Sequence, residues 1–396
     1  MTVSDRAAAI WIGVIAAGIY VAAGLGLTTD YDYYGRLADA FLHGRWWLTE
    51  APPWLNELLS CGEGRYCVVY PPLPAILSLP FVPFFPTAVA QVVASRIAGG
   101  ASAGVLYYGL RAYGAPRKYA LAGALLSAFG TTLLFSSVDG RAWFAAHSAS
   151  MLFLSFAFAV AAGGGSAVAV GALVGISALA RLPVALAAPA LALLCARRSG
   201  TGYGRALGAV VAGGLPFAIV YAGYNVLRWG TPLDEGYARL TQGDVFFNQG
   251  LFSPVYLLRQ LKAIFLEPPD FVPATPFFPR PRFIGMSLFL TTPAFVWVFL
   301  ALREVRRDVA VAATATAALL ALLPDLFHGT VGFQQFGYRF SIDAQPFLVA
   351  LALTGDGLFR GVWRRRPTAI FILAIVLSLA VNIYATIAIT RFEYWQ

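Results

Sequence analysis

Charge is scarce in this chain. Only 12% of its 396 residues are charged against 59% hydrophobic, and a mean hydropathy of +0.70 lies outside the range of soluble globular proteins. Cysteine and histidine are equally sparse. Three cysteines are too few for a disulfide scaffold, and the three histidines, His43, His147 and His328, lack the short spacing of metal ligands. A P-loop, a dinucleotide fingerprint and a Ser-His-Asp signature are also missing. Gly163-Gly164-Gly165 follows no strand and precedes no Lys-Ser/Thr pair, so it reads as a tight turn and not as a phosphate cradle. No soluble domain and no internal repeat stand out. No small-x-small cleavage site precedes Asp30, so the apolar run 7–27, about 20 residues and long enough to span a bilayer, is expected to stay in place.

What is present is a series of apolar runs. After the first span they fall at 92–112, 119–135, 148–162, 166–180, 182–196, 206–224, 283–302, 309–324, 343–359 and 368–389. This predicts an all-α, polytopic transmembrane helical bundle of about 11 crossings, with 1–396 as a single domain. Arginine clusters at Arg111/Arg117/Lys118, Arg197/Arg198/Arg205, Arg303/Arg306/Arg307 and Arg360/Arg364/Arg365/Arg366 mark short connections expected to face the cytoplasm. The acid-rich segments 28–70, 136–147, 225–282 and 325–342 then fall outside, with the amino terminus cytoplasmic and the carboxyl terminus external. The net charge of +9 belongs to these anchors, which argues against a nucleic-acid partner.

The outer segments carry the chemistry. The first, 28–90, opens on Asp30-Tyr-Asp-Tyr-Tyr-Gly-Arg-Leu-Ala-Asp39, in which Tyr34, Leu37, Ala38 and Phe41 recur at helical spacing. That predicts an amphipathic helix over 33–42 with Asp30 and Asp32 at its amino end, where one carboxylate can serve as a cap. One cap satisfies one helix end, which leaves the other acid free for a catalytic role. The stretch 70–86 is apolar but holds six prolines, so a re-entrant or surface-lying piece is expected instead of a crossing. Cys61 and Cys67 share this loop and are placed to pair if it is extracytoplasmic, whereas Cys195 in an apolar run reads as core.

The second large outer loop, 225–282, contains Asp234 and Glu235, as acid or base groups or as solvated turn acids, and a proline-rich stretch from Pro273 to Pro281. In the segment 325–342, Arg339 stands close to the next apolar run, where its planar fork suits a phosphate or an internal pair with Asp343 four residues on. Arg181 and Arg96 lie inside apolar runs and must face protein, water or an anion. Arg181 is the second phosphate candidate. His147, with Asp139, Arg141 and Trp143, is expected in the outer loop 136–147 as a structural or catalytic group.

Assembled, these features resemble the GT-C class of integral-membrane glycosyltransferases, particularly bacterial relatives of the dolichyl-phosphate-mannose-protein mannosyltransferases. The residues that carry the likeness are Asp30 four positions before Tyr34 and Tyr34 four before Ala38, then Gly44-Arg45, Tyr70-Pro-Pro-Leu-Pro and Arg181-Leu-Pro. Tyr224-Asn, Trp229-Gly, Gly236-Tyr237 and Gln335-Phe-Gly-Tyr-Arg-Phe with Asp343 extend it over most of the chain. The family's Asp-Glu pair is replaced by Asp30-Tyr-Asp32, and the chain is shorter than many members.

The resemblance implies inverting transfer of a sugar from a polyprenyl-phosphate donor to a glycan, lipid or protein acceptor on the outer face of the plasma membrane. Asp30 is then the base with Asp32 as partner or substitute. Substrate-binding roles fall to Arg339, Arg181, His147, Tyr338, Glu235 and Tyr237. No cofactor is required, although paired oxygens on Asp30 and Asp32 suit a magnesium or manganese ion. A transporter or flippase of a glycolipid is the alternative reading.

Overall fold

The computed structural model describes residues 3–271, 279–280 and 282–392, so part of the proline-rich stretch 273–281 lies outside the described residues. The fold is mostly helical. Helix α1 (Val3–Ala23) is followed by α2 (Tyr33–Leu42), the hairpin β1 (Leu58–Gly62) and β2 (Arg65–Val68), and the short α3 (Leu73–Ser78). Then come α4 (Thr87–Tyr113), α5 (Arg117–Phe129), α6 (Leu133–Asp139), α7 (Ala142–Ala162) and α8 (Ala167–Ala178). A 3-10 turn over Leu182–Ala187 leads into α9 (Ala188–Ser199) and α10 (Tyr203–Trp229). The second half holds α11 (Gly236–Leu240), α12 (Leu257–Phe265), α13 (Leu288–Thr291), α14 (Trp297–Ala301), α15 (Val309–Leu326), α16 (Gln345–Gly357) and α17 (Ala369–Phe392).

Among the described residues, seven helices are long and apolar enough to cross a membrane, or eight if α5 and α6, bent by 46° at their break, form one span. The break has a local cause. Gly130 ends α5, and its carbonyl accepts from the Thr292 hydroxyl at 3.0 Å, so a distant side chain takes up the backbone that the helix releases. The runs expected at 166–180, 283–302 and 343–359 form shorter elements that fall outside the set of seven or eight. In 283–302 the interruption falls at Pro293, which has no N–H to continue α13.

Burial separates the centre of the bundle from its rim. Helices α4 and α7 have 72% and 78% of their apolar windows buried, against 17% for α1 and 22% for α10, whose apolar faces are left to lipid. Helix α1 still reaches α4 closely, because Gly100 and Gly104 of α4 meet the α1 backbone at Ala17 and Ala9 with no room for a Cβ.

The arginine-rich connections gather at one end. Arg111 pairs with Asp5 of α1 at 3.0 Å, and Arg198 donates to the Tyr113 carbonyl at 2.6 Å. The Arg366 carbonyl accepts from the Tyr119 hydroxyl at 3.1 Å, and Thr314, near the start of α15, donates to the Tyr113 hydroxyl. Asp30 and α2, which follow α1, lie at the opposite end.

Four local features agree with the sequence. Helix α2 spans the anticipated 33–42 and buries Tyr34, Leu37 and Ala38. The 70–86 stretch forms only the six-residue α3, and Cys195 is buried in the core. Cys61 and Cys67 do pair, closing the β1–β2 hairpin with their Cα atoms 5.8 Å apart. One expectation fails: the outer loop 136–147 shrinks to Gly140-Arg141, because α6 runs to Asp139 and α7 starts at Ala142. His147 is therefore a buried residue of α7 and not a loop residue.

Candidate functional site

Two charged groups meet at the end opposite the arginine loops. The first is a closed knot. Asp343, on the 3-10 turn before α16, accepts from Arg181 through Oδ2 at 2.7 and 2.9 Å and lies 2.8 Å from His147 Nδ1 through Oδ1. Asp325, near the end of α15, takes the same guanidinium at 3.3 Å. Arg181 caps the 3-10 turn that begins at Leu182 with Pro183 second, three residues after α8 ends at Ala178. Asp343 and Arg181 satisfy each other here, which is how a buried charge is kept, while Asp325 Oδ2 and His147 Nε2 have no hydrogen-bond partner among the described residues. The expected Arg339–Asp343 pair does not form, because Asp343 is engaged by Arg181 and His147.

The second group is open. Arg339 is 8% exposed, donates through Nη1 to the Phe333 carbonyl at 2.6 Å, and leaves Nε without a hydrogen-bond partner among the described residues. It forms no salt bridge with any described carboxylate. Its guanidinium carbon stands 5.3 Å from the ring centres of both Phe144 and Phe340, so aromatic faces supply the attraction that an acid supplies to Arg181. Tyr338 beside it points away and donates to Gln260 Oε1 at 3.0 Å.

The two acids of Asp30-Tyr31-Asp32 have different surroundings. Asp32 is buried, with Oδ1 on Arg36 Nε at 2.7 Å and Oδ2 accepting from the Thr87 hydroxyl at 2.6 Å. It precedes α2 but makes no side-chain cap, and Gln91 Oε1 instead accepts from the Tyr34 and Gly35 amides at 2.9 and 3.2 Å. Asp30 is exposed, and its carboxylate makes no hydrogen bond or ion pair among the described residues. It lines a cavity of about 430 Å³ with Tyr31, Asp139, Arg141, Phe283 and Gln334. Arg141 pairs with Asp139 at 3.2 Å and donates to the Gln334 side chain. Gln334 has φ of 50°, a left-handed backbone uncommon for a residue with a Cβ, and it sits between this cavity and the carbonyl that holds Arg339. Both Asp32 oxygens accept within the protein, on Arg36 and Thr87, whereas those of Asp30 have no partner among the described residues. Among the described residues no group of three His, Cys, Asp or Glu side chains converges as metal ligands.

A third carboxyl joins the site. Glu57, just before β1, receives Trp143 Nε1 on Oε2 at 2.7 Å, and its own amide donates to the Tyr33 hydroxyl at 3.1 Å. Burial pushes its carboxyl up to about 7, against the opposing pull of the Trp143 hydrogen bond and the Arg339 charge. Tyr237 lies beside it on α11, 6.4 Å from the Tyr70 ring and 6.1 Å from His328. Burial likewise pushes the Tyr237 hydroxyl up to about 12, and Glu57 adds to that rise. Glu235, by contrast, faces out and pairs with Arg239 one helical turn on. Nothing in Trp54-Leu-Asn-Glu57 distinguishes Glu57 from a solvated loop acid; only the distant Trp143 does.

Compared with protein-family models the sequence matches none, and compared with curated proteins it matches none.

Proposed function

We propose that this chain is a membrane glycosyltransferase that moves a sugar from a polyprenyl-phosphate donor to an acceptor at the extracytoplasmic face. The observation that carries this reading is Arg339, a buried guanidinium whose Nε has no partner among the described residues, beside acids that do not neutralise it. A cation kept uncompensated at this depth is costly, and an anion that arrives with the substrate offsets the cost. A lipid-linked phosphate approaches along the bilayer boundary, where its oxygens match the guanidinium fork. In the transfer, the acceptor hydroxyl oxygen bonds to the sugar C1 as the C1–O bond to phosphate breaks. Asp30, facing the cavity and free of partners among the described residues, takes the hydroxyl proton, and Arg339 holds the charge that develops on the departing phosphate.

The supports for orientation are two. The Cys61–Cys67 disulfide suits an oxidising compartment, and the arginine connections collect at the other end of the bundle, as cytoplasmic anchors do. The plasma membrane, with the amino terminus cytoplasmic, satisfies both. Asp32 and Arg181 take structural roles in this reading, since each is engaged within the protein.

The test is sugar transfer by the reconstituted full chain from polyprenyl-phosphate sugars. Asp30→Asn is expected to lower transfer by about 10²- to 10⁴-fold, the usual contribution of a general base, while thermal stability stays unchanged. Full transfer by Asp30→Asn and by the Asp30→Asn/Asp32→Asn double variant would sink the assignment, and lipid movement without transfer would point to a flippase.

A further inference from the structure

Glu57 stands in surroundings that a solvated loop acid does not need. Trp143 Nε1 is shared between Glu57 Oε2 and the Tyr70 hydroxyl, each at 2.7 Å, so one indole fixes both groups. The rings of Tyr33 and Tyr237 stand 5.7 and 6.4 Å from that of Tyr70. Oε1 makes no hydrogen bond with any described residue. A fixed carboxylate with one unused oxygen among aromatic faces is complementary to one kind of ligand. An acyl chain would cover Oε1 and leave it unsatisfied, and a second anion would be repelled. A polyol ring presents hydroxyls to the oxygen and C–H faces to the aromatics.

We propose that Glu57, held by Trp143 and walled by Tyr70 and Tyr237, is a carbohydrate-binding subsite that recognises hydroxyls of the sugar whose phosphate rests on Arg339. This rests on the reading of the site as one for lipid-phosphate sugars. It assigns to Glu57 recognition of the sugar, and leaves the proton transfer to Asp30.

The experiment measures binding of short-chain polyprenyl-phosphate mannose, glucose and arabinose, and of the bare polyprenyl phosphate of equal chain length, to the full chain in nanodiscs. The wild type is expected to prefer at least one sugar-bearing lipid over the bare lipid by about tenfold, the worth of a hydrogen bond to a charged group. Glu57→Gln and Trp143→Phe should each bring that preference to within about twofold, whereas Arg339→Met weakens both kinds of lipid. Trp143→Phe keeps an aromatic ring and removes only the N–H, so it carries the test if Glu57→Gln misfolds. Retained preference in both variants, or no preference in the wild type, overturns the subsite while lipid-phosphate binding stands. A wild type that binds none of these lipids overturns the reading of the whole site and the subsite with it.

Discussion

Arg181 and Arg339 lie at the same end of the bundle and differ in almost every respect that matters to a charge. Arg181 is held by Asp343 and Asp325, with His147 completing the knot. Arg339 has a backbone carbonyl and two phenyl rings. The difference teaches that a buried arginine is not by itself a ligand site. What separates the two is whether the protein supplies the counter-charge, because only the cation left without one gains by meeting a substrate anion.

The comparison can be broken most sharply through stability. Asp343→Ala leaves Arg181 with Asp325 alone and His147 without its carboxylate, and a loss of about 3–5 kcal/mol is expected in equilibrium unfolding from detergent. Unchanged stability would mean that the knot is not closed. Arg339→Met is expected to leave stability equal or slightly raised, since it removes an uncompensated charge, and to lower sugar transfer by about 10²- to 10³-fold. Marked destabilisation would make Arg339 a second structural arginine and erase the contrast.

The smallest effect is a pH dependence. Glu57 binds its proton more tightly in the folded chain, with its carboxyl raised from 4.5 to about 7 by burial. The stability it contributes is therefore complete below its ordinary value and is lost as pH rises through about 7. Glu57→Gln should gain roughly 1–3 kcal/mol on the wild type between pH 5 and pH 8, read as the change in their melting-temperature difference. The groups around the half-buried carboxyl, Trp143, Tyr33, Tyr237 and Arg339, do not ionise in that window, so a flat difference would mean that Glu57 titrates as a solvated acid.

Much of this end of the molecule was legible beforehand, though unevenly. Helix α2 could be read because Tyr34, Leu37 and Ala38 recur at the helical period within a few residues. The 70–86 stretch could be read because proline lacks an amide donor wherever it stands. The position of His147 could not, because polar residues at 136–147 suggested a loop while α7 buries them against α6 and the turn before α16. Asp30 and Asp32 looked interchangeable, and Thr87 and Arg36 distinguish them by engaging only Asp32. Glu57 carried no local mark at all.

By itself, the sequence determined the membrane class of this protein, its mostly helical character and the end at which its arginines collect, because apolarity, period and charge exclusion act over one or two turns of chain. The tertiary structure alone decided which acid meets which arginine. Asp343 finds Arg181 and His147 across 162 and 196 positions, and no local pattern encodes such a choice. Packing sets it, by deciding which carboxylates come within reach of a guanidinium and which guanidinium is left for an anion from outside.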